Sequence, residues 1–254
     1  MRISTSLPLA VATGRDYSMS NTSNRPDLPR NHILADLPMK NYQALLAHMT
    51  EVKLAHGEVL YEIGQAITQV YFPNDAVVSL VYTTIEGTTV EVGLVGREGM
   101  VGIPFMLGAK VSPHRAVVQV SDGAMKVKAS ILREEFNKAG SLHDLLLGYT
   151  HGLMMQVSRT AVCNRIHKIE ERLARWLLMV QDRMLSDEFR LTHDFIADML
   201  GVRRAGVTLA AGMLQQSGLI HYHRGEITII DREGLESVAC ECYGVGRLDF
   251  STLR

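Results

Sequence analysis

The side chains in this sequence that are best suited to hold a metal ion form two short clusters. His221 and His223 flank a tyrosine, and Cys240 and Cys242 flank a glutamate. Residues at i and i+2 of a strand point to the same face, so either pair could supply two ligands to zinc. A structural zinc site needs four such ligands at recognisable spacings, which neither cluster provides alone. The sequence therefore predicts no metal site.

Two consecutive arginines, Arg203 and Arg204, could carry a different chemistry, which is the recognition of nucleic acid. The guanidinium group of arginine matches the O6 and N7 acceptors that guanine presents in the major groove of DNA. No G-x-S-x-G, H-E-x-x-H or Walker A motif occurs in the sequence, so no residue is predicted to be catalytic. DNA binding is therefore favoured, and an enzyme is not predicted.

The stretch that must position these arginines is residues 191–219, LTHDFIADMLGVRRAGVTLAAGMLQQSGL, which predicts two short helices joined by a tight turn. Gly201 supplies the positive φ that such a turn requires. An ordinary helical hairpin would not need basic residues at the start of its second helix, so a DNA-binding helix-turn-helix is favoured. Small or apolar residues stand where the two helices would share a core: Ile196, Ala197, Leu200, Val202, Val207 and Ala210.

Within this unit the residues are predicted to contact two different parts of DNA. Arg204 lies one helical turn before Thr208, so both are assigned to the bases in the major groove. Two short β-like runs around Arg224 and Gly225 predict a hairpin that acts as a wing. The residues assigned mainly to phosphates are Thr192, His193, Arg203, His223 and Arg224.

Length and composition limit the protein class. A chain of 254 residues is long enough for two domains, and a formal net charge of −1 means that any DNA affinity must come from a local basic patch. Three cysteines are too few for a disulfide framework, which fits a reducing cytoplasm. No run approaches the roughly 18 apolar residues of a membrane-spanning helix. A cytoplasmic protein that does not contact a membrane is predicted.

The hydrophobic period divides the chain into four parts. Residues 1–30 are polar and without period, which predicts a disordered tail. Residues 31–140 begin with short helical runs and continue as β-branched runs broken by glycine, which predict a β-roll that senses an effector. Residues 141–168 predict a long helix that forms a dimer, and residues 169–254 predict the DNA-binding domain, in which Trp176 lies in the core.

A glycine-rich segment, GREGMVGIPFMLG at residues 96–108, lies between two predicted strands of the β-roll. Backbone amides of such a loop can cradle a phosphate group. Glycines without a following Lys-Ser/Thr are a weak phosphate signature, however, so a structural crossover between strands is favoured by composition.

An apolar stripe runs along the predicted long helix. It either packs against the β-roll of its own chain or pairs with the same helix of a second chain. The second alternative is favoured, because dimeric helix-turn-helix proteins match two-fold symmetric DNA sites. The residues assigned to the dimer interface are Leu142, Leu146, Tyr149, Leu153 and Cys163.

The order of these parts resembles the Crp/Fnr superfamily of bacterial transcription factors over residues 31 to about 240. The segment LTHDFIADMLGVRRAGVTLAAGMLQQSGLI is similar to the family's DNA-binding signature, and VEVGLVGREGMVG resembles the turn before its effector pocket. The resemblance implies an α+β fold with a cyclic-nucleotide-binding-like β-roll, a long dimerisation helix and a winged helix-turn-helix. It also implies a homodimer on a palindromic operator, with RNA polymerase as a further partner.

Two departures from the family concern the effector. Members that bind cyclic nucleotides carry Gly-Glu and later Arg-Ser/Thr-Ala in the pocket, which places the effector-binding candidates of this chain at Glu98, Gly99, Arg115 and Ala116. Because Ala116 replaces the hydroxyl residue, cyclic-nucleotide binding is not expected. The oxygen-sensing members bind an iron–sulfur cluster through cysteines near the N-terminus, and none precedes Cys163 here, so such a cluster is excluded on this pattern.

Three functions remain in competition. The first is a regulator of transcription that responds to an unknown effector. The second is a cyclic-nucleotide-binding regulatory module, and the third is a DNA-binding protein that needs no effector. Arg203 and Arg204 favour the first over the second, whereas Ala116 keeps the third open.

Overall fold

The computed structural model describes residues 29–184 and 186–251. Residues 1–28 of the predicted disordered tail therefore lie outside the described residues. Within the described part of the chain, no helix is both long and apolar enough to cross a membrane.

Two short helices, α1 (His32–Ala35) and α2 (Met39–Leu46), precede the first strand. The buried Asn31 caps α1, since its side-chain oxygen accepts a hydrogen bond from the backbone of Leu34. Its amide nitrogen also donates to the carbonyl groups of Pro73 and Gly99, at 2.9 Å each. The buried side chain of Asn31 thus fixes the start of α1 against the β-rich part that follows.

Seven strands and two short helices form that part, which confirms the predicted β-roll. The strands pair antiparallel in two sheets, ordered β1-β7-β3 and β2-β6-β4-β5. Apolar side chains such as Val70, Phe72, Val78 and Val118 are fully buried in the core. The elements are β1 (Thr50–Leu54), β2 (Val59–Tyr61), β3 (Gln69–Pro73), β4 (Val77–Thr83), β5 (Thr89–Val95), α3 (Ile103–Met106), β6 (Arg115–Val120), β7 (Asp122–Lys128) and α4 (Ala129–Phe136).

The long helix α5 (Ser141–Ile166) follows and spans about 39 Å at 1.5 Å per residue. Its apolar stripe faces the β-roll of its own chain, so the predicted assignment of that stripe to a dimer interface does not hold. Leu142, Leu146, Tyr149 and Leu153 are at most 8% exposed and belong to the β-roll core, and Cys163 is buried against Cys240 and Cys242. The helical spacing of apolar residues correctly indicated that one face of α5 is buried. Such spacing does not indicate which surface covers that face.

The opposite face of α5 is also apolar, and it is exposed in the single chain. Leu147 is 44% exposed, Met154 63%, Val162 50% and Ile166 64%. The surface formed by these four residues is called the outer face of α5 below.

The C-terminal part is a winged helix-turn-helix, as predicted. The helix α6 covers its core through Leu173, Leu177 and Val180, which are almost fully buried. The three strands form an antiparallel sheet ordered β8-β10-β9, in which β8 was not predicted. The elements are α6 (Ile169–Gln181), β8 (Glu188–Arg190), α7 (His193–Leu200), α8 (Arg204–Gln216), β9 (Ile220–His223), β10 (Glu226–Ile229), α9 (Arg232–Val238) and α10 (Cys242–Ser251).

Candidate functional site

The turn between α7 and α8 has the geometry that the sequence predicts. Gly201 ends α7 in the left-handed conformation, with φ 61° and ψ 42°. The backbone N–H of Val202 donates to the carbonyl of Ala197 at 3.0 Å, which closes the end of the helix. At the other end of α7, the hydroxyl of Thr192 accepts a hydrogen bond from the backbone of Phe195 at 3.2 Å. Both ends of α7 are therefore fixed before α8 begins.

The first turn of α8 presents polar side chains to solvent. Arg203 is the N-cap residue, and Arg203, Arg204 and Thr208 are all exposed. Arg204 has its Nε atom 3.5 Å from a carboxylate oxygen of Asp194, and both side chains are about two-thirds exposed. The hydroxyl of Thr208 donates to the carbonyl of Arg204 at 3.1 Å, so the two residues share one face. Leu209 is next to them and 67% exposed.

His193 connects the two helices of this unit to the wing. Its ring stacks on Tyr222 of β9 with centroids 4.1 Å apart, and its Nδ1 atom lies 3.0 Å from the hydroxyl of Thr208. Burial and the positive charge of Arg204 lower the pKa of His193 below its usual range. The predicted contact of His193 with phosphate remains a prediction.

The wing is a two-residue hairpin. Arg224 and Gly225 at its tip have φ values of 49° and 86°, as a type I′ turn requires. The backbone N–H of Leu191 donates to the carbonyl of Gly225 at 2.7 Å. This bond brings the tip of the wing beside Thr192 at the start of α7, so residues assigned to phosphates from both elements lie next to each other.

Two effector candidates in the glycine-rich loop are engaged inside the protein. Glu98 forms an ion pair with Arg183, with 2.7 Å between Oε1 and Nε, and the two side chains are 11% and 8% exposed. A Cβ atom on Gly99 would lie 2.3 Å from the ring of Tyr149, and one on Gly96 would lie 2.7 Å from Arg183. These glycines are needed for close packing, as a structural crossover requires. An effector role for Glu98 and Gly99 remains a prediction.

The other two effector candidates lie on β6. Arg115 has its Nε atom 3.3 Å from a carboxylate oxygen of Glu62, and the side chains are 41% and 58% exposed. Ala116 is fully buried and pairs with Leu80 and Tyr61 in the sheet. The described contacts thus place Arg115 in a surface ion pair rather than beside the pair formed by Glu98 and Arg183.

A buried polar contact joins the β-roll to the DNA-binding domain. Trp176, which the sequence assigned to the core, is 3% exposed, and its indole N–H donates to Glu91 of β5 at 3.0 Å. Burial raises the pKa of Glu91 to about 7, although hydrogen bonds from Ser79 and Trp176 and two nearby arginines act against the shift. β5 also carries Val90, which lies against the turn at Gly201. The helix-turn-helix therefore rests directly on β5.

Four potential metal ligands meet at the end of α5. One ligand atom from each of Cys163, His167, Cys240 and Cys242 lies within 4.8 Å of all the others, and the three cysteines are buried. The prediction of no metal site and the exclusion of an iron–sulfur cluster are therefore wrong. Both predictions considered only the positions of the cysteines along the sequence. Folding brings Cys163 and His167 next to Cys240 and Cys242. The spacing of Cys163 and His167, one helical turn apart, was the signal that could have found the cluster.

Electrostatic interactions within this cluster shift the pKa values of Cys163 and Cys240 in opposite directions. A hydrogen bond from Cys240, together with His167 and Arg175, lowers the pKa of Cys163. The same hydrogen bond and burial raise the pKa of Cys240. Cys163 is therefore the thiol that ionises first.

Comparison with known proteins supports the interpretation of the C-terminal part. Residues 171–238 match the family model described as the Crp-like helix-turn-helix domain. A search of curated proteins finds no significant match in sequence.

Solved structures resemble the whole arrangement. FixK2 from Bradyrhizobium japonicum has a TM-score of 0.65 at 18% identity, over 76% of this chain and 98% of its own. A transcriptional regulator of the CRP family from Thermus thermophilus, TTHB099, has a TM-score of 0.63 at 20% identity, over 74% of this chain and 96% of its own. At such identities the likeness concerns the fold.

Proposed function

We propose that this chain is a DNA-binding transcriptional regulator of the Crp/Fnr superfamily and that it acts as a cytoplasmic homodimer on a palindromic operator; its Crp-like helix-turn-helix domain and its fold support the proposal. The observation that carries the proposal is the exposed first turn of α8, in which Arg203, Arg204 and Thr208 all face solvent. The N-terminal residues of the second helix are the ones that reach base edges in this motif.

Arg204 is the residue for base readout. Its partner Asp194 is as exposed as Arg204 itself, and such surface pairs contribute only about 0–1 kcal/mol, so DNA can displace the carboxylate at little cost. The guanidinium group would then contact O6 and N7 of guanine, with Thr208 beside it. The exposed Leu209 on the same helix suits the methyl group of thymine.

A second group of polar residues in the domain contacts the phosphate backbone of the DNA. The tip of the wing and the N-terminus of α7 lie together, and both carry groups that suit phosphate oxygens. The residues proposed to contact phosphates are Thr192, His193, Arg203, His223 and Arg224.

The outer face of α5 is the proposed dimer interface. Leu147 and Met154 are seven residues apart, a spacing that keeps both on one side of a helix paired with a copy of itself. Exposed apolar surface on a helix of this length is unusual unless a partner covers it. Dimeric helix-turn-helix proteins bind two half-sites about 34 Å apart, so a homodimer suits the proposed palindromic operator. RNA polymerase is the further partner proposed for a regulator of this kind.

The test begins with an operator selected by the purified protein from a random DNA pool. Arg204→Ala should lower the affinity for that operator by about 1–3 kcal/mol per half-site and relax the base preference at one position. Arg224→Ala should weaken binding to all sequences alike and reduce the salt slope by about one. Both are measured against the operator, against single-base variants, and at several salt concentrations.

Arg133→Ala serves as the control, because Arg133 lies on α4 of the β-roll and should leave DNA binding unchanged. Failure to select any operator would contradict the proposed function. If Arg204→Ala kept the full base preference and changed only the salt dependence, the roles assigned to the two arginines would be wrong.

A further inference from the structure

Four ligand atoms at the end of α5 have the separations of a single tetrahedral metal centre. The sulfurs of Cys163 and Cys240 are 3.4 Å apart, the sulfur of Cys242 is 3.9 Å from Nδ1 of His167, and no separation in the set exceeds 4.8 Å. Ligands about 2.3 Å from a zinc ion in tetrahedral geometry lie about 3.8 Å from each other. The four ligands of a two-iron cluster spread farther, because bridging sulfides separate the two iron atoms. From this geometry we infer that Cys163, His167, Cys240 and Cys242 bind one zinc ion.

The orientation of His167 supports the inference independently. Its Nδ1 atom faces the sulfurs, while its Nε2 atom lies 3.2 Å from the carboxylate of Glu241. A histidine that binds a metal through one nitrogen almost always donates its other N–H to a carboxylate, a carbonyl or water. Glu241 lies between two of the ligands in the sequence, and it fixes the ring so that the free nitrogen points into the cluster.

Charge around the cluster also suits a zinc centre. A zinc ion with three thiolates and a neutral imidazole carries one excess negative charge. Arg172 and Arg175 are 7% and 6% exposed, and both interact electrostatically with Cys163. The Nε atoms of both arginines have no hydrogen-bond partner among the described residues. Buried guanidinium groups need nearby negative charge, and the zinc centre supplies it.

The ligands come from two segments that are distant in sequence. Cys163 and His167 are one turn apart at the C-terminal end of α5, whereas Cys240 lies in the connection between α9 and α10 and Cys242 begins α10. Cys163 and Cys240 are 77 positions apart, and the whole winged helix-turn-helix lies between them. A metal ion here would close that loop, and closing a long loop removes much entropy from the unfolded chain.

The site is also connected to the DNA-binding helices. Arg172, beside the cluster, donates to the side chain of Asn164 at 2.8 Å and to the carbonyl of Leu200 at the end of α7. Leu200 directly precedes the turn at Gly201. Zinc would therefore stabilise the domain at the point where it joins α5 and close to the turn that positions α8.

The test measures metal bound to the full chain, purified without added metal and without chelating tags. Elemental analysis should give one zinc per chain and no stoichiometric iron. Replacement by Co²⁺ should produce thiolate-to-metal charge-transfer bands and the visible bands of tetrahedral cobalt. His167→Ala and Cys242→Ser should lose the zinc, whereas His151→Ala, at an exposed histidine of the same helix, should retain it.

Glu241→Ala, which removes the carboxylate beside Nε2 of His167, separates a metal site from a merely buried cysteine cluster. This exposed substitution leaves all four ligands and the fold in place, and loss of such a partner should weaken zinc binding about 10–100-fold. If His167→Ala or Cys242→Ser fails to fold, the zinc affinity of the Glu241 variant still tests the inference. A chelator should lower the melting temperature of the wild type and leave that of folded His167→Ala unchanged.

Four results would overturn the inference. They are a wild-type protein without metal, iron with acid-labile sulfide in place of zinc, a Cys163–Cys240 disulfide in protein purified under reducing conditions, and zinc retained in full by Cys242→Ser.

Discussion

Arg204 at the start of α8 and Arg183 after α6 each lie beside a carboxylate, but the two ion pairs have opposite surroundings. The pair of Arg204 with Asp194 is about two-thirds exposed and 3.5 Å long, whereas the pair of Arg183 with Glu98 is about nine-tenths buried and 2.7 Å long. Water screens the first pair and is excluded from the second. Arg204 is therefore available to a ligand, whereas Arg183 stabilises the fold by holding Glu98 of the glycine-rich loop.

The same contrast separates the helix-turn-helix from the glycine-rich loop. In the first, the polar residues that the sequence singles out face solvent, because the apolar residues between them form the core with α6. In the second, Glu98 and Gly99 are held by Arg183 and Tyr149, which come from distant parts of the chain. A residue type alone does not reveal which of these situations it is in. The following changes test the difference, from the largest effect on folding to the smallest.

Arg183→Ala should lower the free energy of unfolding by about 3–5 kcal/mol, because it leaves the carboxylate of Glu98 buried without its partner. Arg204→Ala should change it by no more than about 0.5 kcal/mol, as is usual for exposed positions. Urea unfolding of both variants beside the wild type measures the difference.

The double variant Arg183→Ala, Glu98→Gln controls this comparison. It removes the stranded charge, so it should recover part of the loss. Equal effects of Arg183→Ala and Arg204→Ala would mean that burial does not distinguish the two ion pairs.

Glu91, at the contact between β5 and α6, should make stability depend on pH. Its pKa is about 7 in the folded chain and has its ordinary, lower value in the unfolded chain. The folded state then binds the proton more tightly, so the stabilisation is complete below the ordinary pKa and is lost as pH rises to about 7. The loss amounts to about 3 kcal/mol, and unfolding midpoints measured from pH 4.5 to 8 would detect it.

Glu91→Gln should remove this part of the pH dependence, since an amide oxygen still accepts the hydrogen bond of Trp176 and has no proton to lose. Glu62→Gln, at an exposed carboxylate, is the matched control and should leave the pH profile unchanged. A profile that Glu91→Gln does not alter would exclude Glu91 as its source.

Substitutions on the outer face of α5 should have the smallest effect on the folding of the single chain. Leu147→Asp combined with Met154→Asp should convert a dimer to a monomer in light scattering, because the charges would meet their copies without partners. Secondary structure should be unchanged, since both positions are exposed in the single chain. Ile85→Asp, a fully exposed apolar position on the β4–β5 turn, is the control. A double variant that remains dimeric would exclude the outer face as the interface.

Local pattern was sufficient to predict the helix-turn-helix, the wing and the β-roll. The positive φ at Gly201, the Arg224-Gly225 turn and the apolar positions of α7 and α8 all follow from interactions among residues close in sequence. Such interactions have a fixed period or a fixed turn geometry, which can be recognised without a structure. These elements also carry the family resemblance.

Only the tertiary structure decided the contacts between distant segments. It turned Leu146 and Tyr149 toward the β-roll and left Met154 outside, paired Glu98 with Arg183, and joined Trp176 to Glu91. It also brought Cys163 and His167 to Cys240 and Cys242 across the whole DNA-binding domain. The physical reason is that a sequence pattern determines which face of a helix is apolar, whereas the surface that covers this face depends on how elements far apart in the chain pack together.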